Sequence, residues 1–169
     1  MNHTVFLALG TNLGDRLENL RTALGNFPPE ILVLEQSPIY ETPPWGYLDQ
    51  PAFLNQVVRL ETGLSPRAVL LIAKGIETLM GRQATLRNGP RVIDLDLLFY
   101  DDLVLDLPGL TLPHPRLRGR AFVLVPLADL APDLFHPLFG QTVRELLVEV
   151  DRQGITRFYP PDSPDEIHE

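Results

Sequence analysis

Two carboxylates, Asp94 and Asp96, interrupt an otherwise apolar stretch over residues 92–100. The other residues of this stretch are β-branched, aliphatic or aromatic, which predicts a buried strand. Because strand side chains alternate between faces, the two carboxylates share one face, about 6.5–7 Å apart along the backbone. The opposite face is predicted to pack into the core with these residues: Ile93, Leu95, Leu97 and Phe99.

This pair of carboxylates suits a hard divalent cation. Two neighbouring carboxylates in apolar surroundings repel each other, and Mg²⁺, which binds carboxylates, water and phosphate oxygens, relieves that repulsion. The alternative is a strand end at which two solvated aspartates pair with nearby arginines. An Asp-x-Asp pattern alone does not separate the two interpretations.

Three arginines, Arg82, Arg87 and Arg91, come shortly before the strand, and a Gly-Pro pair predicts a loop among them. The guanidinium fork suits phosphate oxygens. Carboxylates for Mg²⁺ beside arginines for polyphosphate charge describe a phosphoryl- or nucleotidyl-transfer site, where positioning and electrostatics supply most of the catalysis. A network of structural salt bridges is the competing interpretation.

The composition bounds the possible classes of protein. A chain of 169 residues with 44% hydrophobic content can bury one core, so we expect one domain over residues 1–159 and a flexible acidic tail over 160–169. The net charge of −8 disfavours a nucleic-acid partner. However, six of the fourteen basic residues lie between positions 82 and 120, which predicts a local site for a small anion.

Cysteine is absent, which excludes disulfides and zinc-thiolate chemistry. The sequence has no secretory signal pattern and no apolar run of membrane length. We therefore expect a cytoplasmic protein without a membrane partner, and a monomer.

The spacing of apolar residues predicts strands and helices in turn. Residues 4–9 are predicted as the first strand, and leucines at helical spacing predict a helix that ends at Gly25. Two further predicted strands, 31–40 and 53–61, flank a proline-rich connection. This connection is too long for a tight turn and is a candidate functional loop.

Ser65 and Pro66 predict the start of a second helix, with serine at the N-cap and proline in the first turn. The carboxylate strand follows, so the first hundred residues are predicted to run β-α-β-β-α-β. That order is typical of a ferredoxin-like α+β fold with a mainly antiparallel sheet. Thr142 and Glu145 form a capping-box pattern, which predicts a C-terminal helix that extends to Gly154.

Four blocks of sequence together resemble the 6-hydroxymethyl-7,8-dihydropterin pyrophosphokinase family, in the family's order. They are residues 7–15, residues 37–55 with their Thr-Pro-Pro run, residues 87–98 around the carboxylate pair, and residues 112–122 with Pro-His-Pro. The resemblance covers residues 4 to 137. It implies a ferredoxin-like core with added C-terminal helices, and a catalytic domain that transfers pyrophosphate from ATP to a pterin alcohol in folate biosynthesis, releasing AMP.

By this resemblance, the pterin ring would lie between Phe53 and Phe122, and Asn55 would meet the ring edge. Phe53 and Asn55 are two residues apart, which puts them on one face of a strand. A flat polar heterocycle needs apolar faces and a few hydrogen-bonding groups. The proline-rich loop supplies the other predicted pterin contacts: Thr42, Pro43, Pro44 and Trp45. Plain core packing is the alternative for the phenylalanines.

The resemblance also implies the groups that act on ATP. Two Mg²⁺ ions would bridge Asp94 and Asp96 to the polyphosphate, while Arg82 and Arg91 would bind ATP and offset charge that develops during transfer. The other implied ATP-binding residues are Lys74, Glu77, Arg87, Thr111, His114 and Arg120. For Lys74 and Glu77 the alternative is a surface ion pair, and for His114 it is a structural loop histidine.

Three other classes of function stay open. A small-molecule kinase would use the same groups but attack the γ-phosphorus and release ADP. An RNA-binding ferredoxin-like module would expose aromatic residues in a basic surround, whereas this chain is acidic. A regulatory pterin binder would not need both carboxylates.

Overall fold

The computed structural model describes residues 2–44, 49–81 and 92–161 of the chain. The longer strands are β1 (His3–Thr11), β2 (Ile31–Gln36), β3 (Ile39–Thr42), β4 (Phe53–Thr62) and β5 (Asp94–Tyr100). The shorter strands are β6 (Leu105–Leu107), β7 (Leu110–Leu112), β8 (Phe135–His136), β9 (Gln141–Thr142) and β10 (Thr156–Phe158). The helices are α1 (Arg16–Gly25), α2 (Pro66–Leu79), α3 (Ala121–Leu130) and α4 (Val143–Val148).

The main sheet has six strands in the order β10-β3-β4-β1-β5, and β2 also pairs with β4. All of these pairings are antiparallel. The strands β1, β2 with β3, β4 and β5, together with α1 and α2, follow the β-α-β-β-α-β order. The predicted α+β fold, with a ferredoxin-like core and C-terminal helices, is confirmed.

Each face of the sheet carries its own apolar core. The first core packs α1 and α2 on one face, with Leu20 and Ala73 against Leu7 and Leu54. The second core packs α3 and α4 on the other face, with Leu124 and Val143 in one cluster with Val57. Burial of these two surfaces supplies the main driving force for folding.

The alternation along β5 changes at a bulge. Phe6 of β1 pairs with Phe99, but Leu7 pairs with Leu97, so Leu98 is the extra residue. As a result, Leu98 and Phe99 both belong to the core under α3 and α4, while Leu97 belongs to the other core. The prediction that Phe99 packs behind the carboxylates with Leu95 and Leu97 is therefore wrong.

The predicted helix starts have the expected hydrogen bonds. The Ser65 side chain accepts a hydrogen bond from the Ala68 amide, and proline occupies the first turn of α2. Thr142 and Glu145 form the reciprocal capping box at the start of α4. These two local predictions are confirmed because the signals act within a few residues of each other.

Two predicted elements differ from the structure. The strand predicted over residues 31–40 is divided into β2 and β3 at Ser37 and Pro38, where Ser37 bonds Val57 with both its backbone and its hydroxyl. The helix predicted to reach Gly154 ends at Val148 and is followed by β10, which joins the main sheet.

Among the described residues, none of the helices is long and apolar enough to cross a bilayer.

Candidate active site

One row of paired residues crosses four strands of the main sheet, from β3 through β4 and β1 to Asp94 of β5. In this row Tyr40 pairs with Asn55, Asn55 with Gly10, and Gly10 with Asp94. Directly opposed residues in antiparallel strands point to the same face. Asn55 and Asp94 therefore flank Gly10 on one face, about 10 Å apart at two strand spacings.

Gly10 follows the first predicted strand, residues 4–9, and was not among the predicted site residues. A Cβ at this position would lie 3.1 Å from Asn55 Oδ1 and 3.9 Å from a ring carbon of Phe53. The missing side chain keeps the surface between Asn55 and Asp94 clear. The Gly-Thr-Asn run after a strand was the available signal, but only the pairing register shows what faces the glycine.

Asn55 is buried and held from one side. Its Nδ2 donates a hydrogen bond to Thr42 Oγ1 at 2.6 Å, and both residues are less than a tenth exposed. Phe53 lies opposite Thr42 at the start of β4 and is half-buried. The structure thus brings three of the predicted pterin contacts together on one face of β3 and β4.

The two prolines of the predicted pterin loop directly follow the last residue of β3. Pro43 is exposed and Pro44 is half-buried. The turn after α4 touches this segment, because a Cβ on Gly154 would lie 3.1 Å from Pro43 Cγ. The base of the loop is therefore packed against a part of the chain more than one hundred residues away in sequence.

Asp94 and Asp96 lie on the same face of β5, as predicted, and both are half-buried. Asp96 pairs with Ala8 of β1, next to the Gly10 row. Leu95, between them, is fully buried in the core under α1 and α2. The strand thus presents two carboxylates on one side while its other side is fixed by packing.

Glu77 supports this strand from α2. Its side chain is 2% exposed, and Oε2 accepts a hydrogen bond from the Leu95 amide at 2.7 Å. Lys74 Nζ lies 3.3 Å from Glu77 Oε1 and is half-exposed. The ion pair of Lys74 and Glu77, which was the alternative to ATP binding, is present, but Glu77 is buried rather than on the surface. The Glu77 carboxylate also accepts a hydrogen bond from the backbone between the two aspartates.

A cavity of about 250 Å³ lies beside β5. Four of the predicted site residues line it: Lys74, Asp96, Thr111 and His114. The hairpin of β6 and β7 forms another part of its wall through Gly109 and Leu110. The structure therefore brings residues from α2, β5, β7 and the following loop together around one space.

His114 is fixed in the loop after β7. Its backbone amide donates to the Leu98 carbonyl at 2.9 Å, and its Nδ1 accepts from the Arg116 amide at 3.1 Å. Burial lowers the pKa of His114, the charge of Asp96 opposes that shift, and nearby cationic side chains add to it. A neutral ring with Nδ1 as acceptor carries its proton on Nε2 and can donate from there.

Arg120 and Phe122 flank the start of α3. The Arg120 guanidinium lies 5.5 Å from the centre of the Phe122 ring, within the range of a cation–π contact. Burial lowers the pKa of Arg120, while the charges of Asp96 and Asp94 act in the opposite direction. Phe122 is half-buried against the core under α3 and α4. Both residues are therefore close to the carboxylate face.

Four predicted site residues lie outside the described residues: Trp45, Arg82, Arg87 and Arg91. Their roles stay predictions from the sequence. The last residues of the predicted flexible tail also lie outside them, from position 162.

The carboxylate pair fits Mg²⁺ by its chemistry. Mg²⁺ sites in enzymes commonly use one or two carboxylates together with water and substrate phosphates. Within residues 2–44, 49–81 and 92–161, no group of three or more histidines and acidic residues could hold a metal. A cation at Asp94 and Asp96 would draw on water and phosphate oxygens for its remaining ligands.

The sheet order defines the class of fold, an α+β protein with a ferredoxin-like core. The family model described as 7,8-dihydro-6-hydroxymethylpterin-pyrophosphokinase (HPPK) matches residues 6–132. The chain belongs to this family.

Two bacterial relatives align over almost their whole length. The chain is 46% identical over 154 residues to the 2-amino-4-hydroxy-6-hydroxymethyldihydropteridine pyrophosphokinase of Methylorubrum extorquens, covering 90% of this chain and 96% of the relative. It is 45% identical over 159 residues to the protein of the same name from Pseudomonas aeruginosa, covering 93% of this chain and 98% of the relative.

Other similar proteins are longer than this chain. The folic acid synthesis protein fol1 of Schizosaccharomyces pombe is 46% identical over 156 residues, which are 91% of this chain but 21% of that protein. The crystal structure of Plasmodium falciparum HPPK-DHPS with pteroate has a TM-score of 0.72 at 19% identity, covering 95% of this chain and 46% of that one. This structural likeness supports the fold.

Proposed function

We propose that this protein transfers the pyrophosphoryl group of ATP to the hydroxymethyl oxygen of 6-hydroxymethyl-7,8-dihydropterin, giving the pterin diphosphate and AMP. An ATP-using pyrophosphokinase activity in folate biosynthesis follows from the family to which the chain belongs. The observation that carries the proposal for this chain is the row in which Asn55 and Asp94 flank Gly10 on one face of the sheet. That spacing suits a pterin beside a phosphate-binding site.

The pterin is proposed to lie against β4 and the start of α3. Phe53 and Phe122 would cover the two faces of the ring, since aromatic side chains stack well on flat heterocycles. Asn55 Nδ2 donates a hydrogen bond to Thr42. Asn55 Oδ1, the acceptor of this amide, is the atom that would accept a hydrogen bond from the ring edge. Pro43, Pro44 and Trp45 would complete the apolar surround.

ATP is proposed to occupy the cavity beside β5. His114 Nε2 and the Arg120 guanidinium would donate hydrogen bonds to phosphate oxygens, with Lys74 and Thr111 on the cavity wall. Glu77 would act in this site through its bond to the Leu95 amide. Arg82, Arg87 and Arg91 are proposed to bind the polyphosphate, and Arg82 and Arg91 to offset the charge that develops during transfer.

Asp94 and Asp96 are proposed to hold two Mg²⁺ ions against the polyphosphate. Bound there, Mg²⁺ would withdraw charge from the phosphate oxygens and lower the pKa of the attacking hydroxyl. In the transfer, the hydroxymethyl oxygen forms a bond to the β-phosphorus and the bond from that phosphorus to the α-phosphate oxygen breaks. The hydroxyl proton leaves towards Asp94, and AMP takes the electrons of the broken bond.

The active unit is proposed to be one copy of residues 1–159 as a single catalytic domain in the cytoplasm. Inclusion of β10 in the main sheet supports a domain that extends through residue 158. The acidic net charge of −8 supports small-molecule substrates over nucleic acid.

The nucleotide product tests the proposed reaction. Purified protein is incubated with ATP, Mg²⁺ and the pterin alcohol, and the nucleotides are separated by ion-exchange chromatography. AMP in equal amount to consumed pterin supports the proposal, and omission of Mg²⁺ with added chelator is the control. ADP as the product would support a simple kinase instead.

A further inference from the structure

Arg16, the first residue of α1, joins the two strand ends that carry the predicted pterin contacts. Its Nη1 lies 2.7 Å from Glu41 Oε2 near the end of β3. The same nitrogen donates a hydrogen bond to the Ala52 carbonyl, 3.0 Å away, just before β4. One side chain thus contacts both ends of the connection between these strands.

The contacts lie behind the predicted site. Glu41 pairs with Leu54, which is fully buried in the core under α1 and α2. Thr42, Phe53 and Asn55 alternate to the opposite face. Arg16 therefore lies on the side of the sheet away from Thr42, Phe53 and Asn55, and would act on these three residues through the backbone.

Asn12 adds hydrogen bonds at the end of the same connection that leads into β4. Its side chain is buried, and Nδ2 donates to Gln50 Oε1 at 2.8 Å and to the Pro51 carbonyl at 3.0 Å. Together with Arg16, it bonds three successive residues ahead of β4. The start of α1 and the turn before it are thus attached to the connection at several points.

We propose that Arg16 is a positioning residue that fixes the ends of β3 and β4, and through them Thr42, Phe53 and Asn55, for binding of the pterin. This inference rests on the proposed function. The Arg16 side chain is 26% exposed and that of Glu41 is 40% exposed, so the pair alone adds little to overall stability. Its effect should fall on substrate binding, because the contacted Glu41 and Ala52 adjoin Thr42 and Phe53, the last pair of β3 with β4 before the connection.

The chain offers a matched control. Arg59 of β4 pairs with Glu35 of β2, with Nε 2.6 Å from Oε1, and these side chains are 35% and 47% exposed. This pair resembles that of Arg16 and Glu41 in type and exposure, but Arg59 lies six positions along β4 from Phe53. Arg59→Ala thus measures the general effect of losing a partly exposed arginine–glutamate ion pair on the sheet.

The first test is steady-state kinetics of Arg16→Ala, Arg16→Lys, Glu41→Ala and Arg59→Ala. We expect Arg16→Ala to raise KM for the pterin roughly tenfold, with KM for ATP and the melting temperature changed no more than in Arg59→Ala. Glu41→Ala should act in the same direction, and Arg16→Lys should restore part of the loss. Equal changes in Arg16→Ala and Arg59→Ala would overturn the proposal.

The second test needs no substrate. Trp45 is the only tryptophan of the chain and lies in the sequence between the two bonded ends, so its fluorescence anisotropy reports on the connection. We expect lower anisotropy in Arg16→Ala than in wild type, and no change in Arg59→Ala. If wild type forms no AMP, the proposed function fails while this comparison still decides the positioning role. Unchanged anisotropy in Arg16→Ala would overturn that role even if AMP is formed.

Discussion

The Glu77 carboxylate accepts a hydrogen bond from the Leu95 amide at 2.7 Å, at the one residue between the two site aspartates. The amide belongs to β5, which lies at the edge of the sheet. A buried carboxylate on α2 thus fixes the backbone from which Asp94 and Asp96 project. The sequence resemblance implied that Glu77 binds ATP, and this contact gives it a role in holding the carboxylate strand.

The first prediction concerns Glu77. Glu77→Ala leaves the buried Leu95 amide without this acceptor, so we expect a loss of about 1–3 kcal/mol in the free energy of unfolding. Because β5 also loses its support, kcat should fall more than KM for ATP rises. Glu77→Gln keeps an acceptor oxygen and should lie between wild type and Glu77→Ala. Urea unfolding measures the change in stability, and steady-state kinetics measures the changes in kcat and KM. A rise in KM for ATP with normal kcat and stability would contradict the prediction.

The second prediction concerns the carboxylate pair. Asp94→Asn or Asp96→Asn should lower kcat by roughly 10²–10⁴, because each removes a charged ligand from the proposed metal site. Both side chains are half-buried rather than part of the core, so the melting temperature should change little. Asp102→Asn, an exposed carboxylate just after the same strand, is the matched control. Near-normal turnover in either site variant would refute the metal assignment.

The third prediction concerns Gly10. A methyl group there would lie 3.1 Å from Asn55 Oδ1, so Gly10→Ala should displace the atom proposed to accept from the pterin. We expect about a tenfold loss of pterin affinity, a typical cost for one misplaced hydrogen bond. Calorimetry with the pterin and with an ATP analogue measures both affinities. Gly75→Ala, on α2 with open space around the added methyl, is the control, and equal losses for both ligands would contradict the prediction.

The fourth prediction concerns the acid stability of the protein. His136 is 1% exposed, and its Nδ1 accepts hydrogen bonds from the Leu138 and Phe139 amides. Its ring stacks on Phe139 at 3.9 Å between centres. Burial lowers the pKa of His136, as does the charge of Arg118.

The sign of the pH effect follows from this lowered pKa. As the pH falls, His136 takes up a proton first in the unfolded chain, near its ordinary pKa of 6.5. The contribution of neutral His136 to the free energy of unfolding is therefore complete above that pH. It is lost as the pH falls from there through the lower folded pKa, at up to about 1.4 kcal/mol per pH unit. Urea unfolding of wild type and His136→Gln at pH 7.5, 6.5 and 5.5 measures this. The stability difference should shrink at the lowest pH, and a constant difference would contradict the prediction.

The sequence predicted those parts of the fold whose signals are local. The serine and proline before α2 and the capping box of Thr142 and Glu145 act within one helical turn. The alternation around Asp94 and Asp96 likewise depends only on neighbouring residues. These predictions are confirmed without reference to the rest of the chain.

Features that depend on tertiary pairing could not be predicted in this way. The bulge at Leu98 and the position of Gly10 opposite Asn55 exist only in the register of β1 with its neighbours. Helix α3 contains Pro126 and has no side-chain cap at Arg120, so it lacks the usual sequence signals of a helix. The Glu77 bond to Leu95 joins residues 18 positions apart.

The proposed reaction requires that the pterin oxygen attack the β-phosphorus of ATP. The most direct measurement uses pterin alcohol labelled with ¹⁸O in its hydroxymethyl group, followed by mass spectrometry of both products. We predict one ¹⁸O atom in a pterin diphosphate and none in AMP, at equal amounts. A labelled pterin monophosphate with ADP, or transfer of the label to the nucleotide, would contradict the proposed reaction.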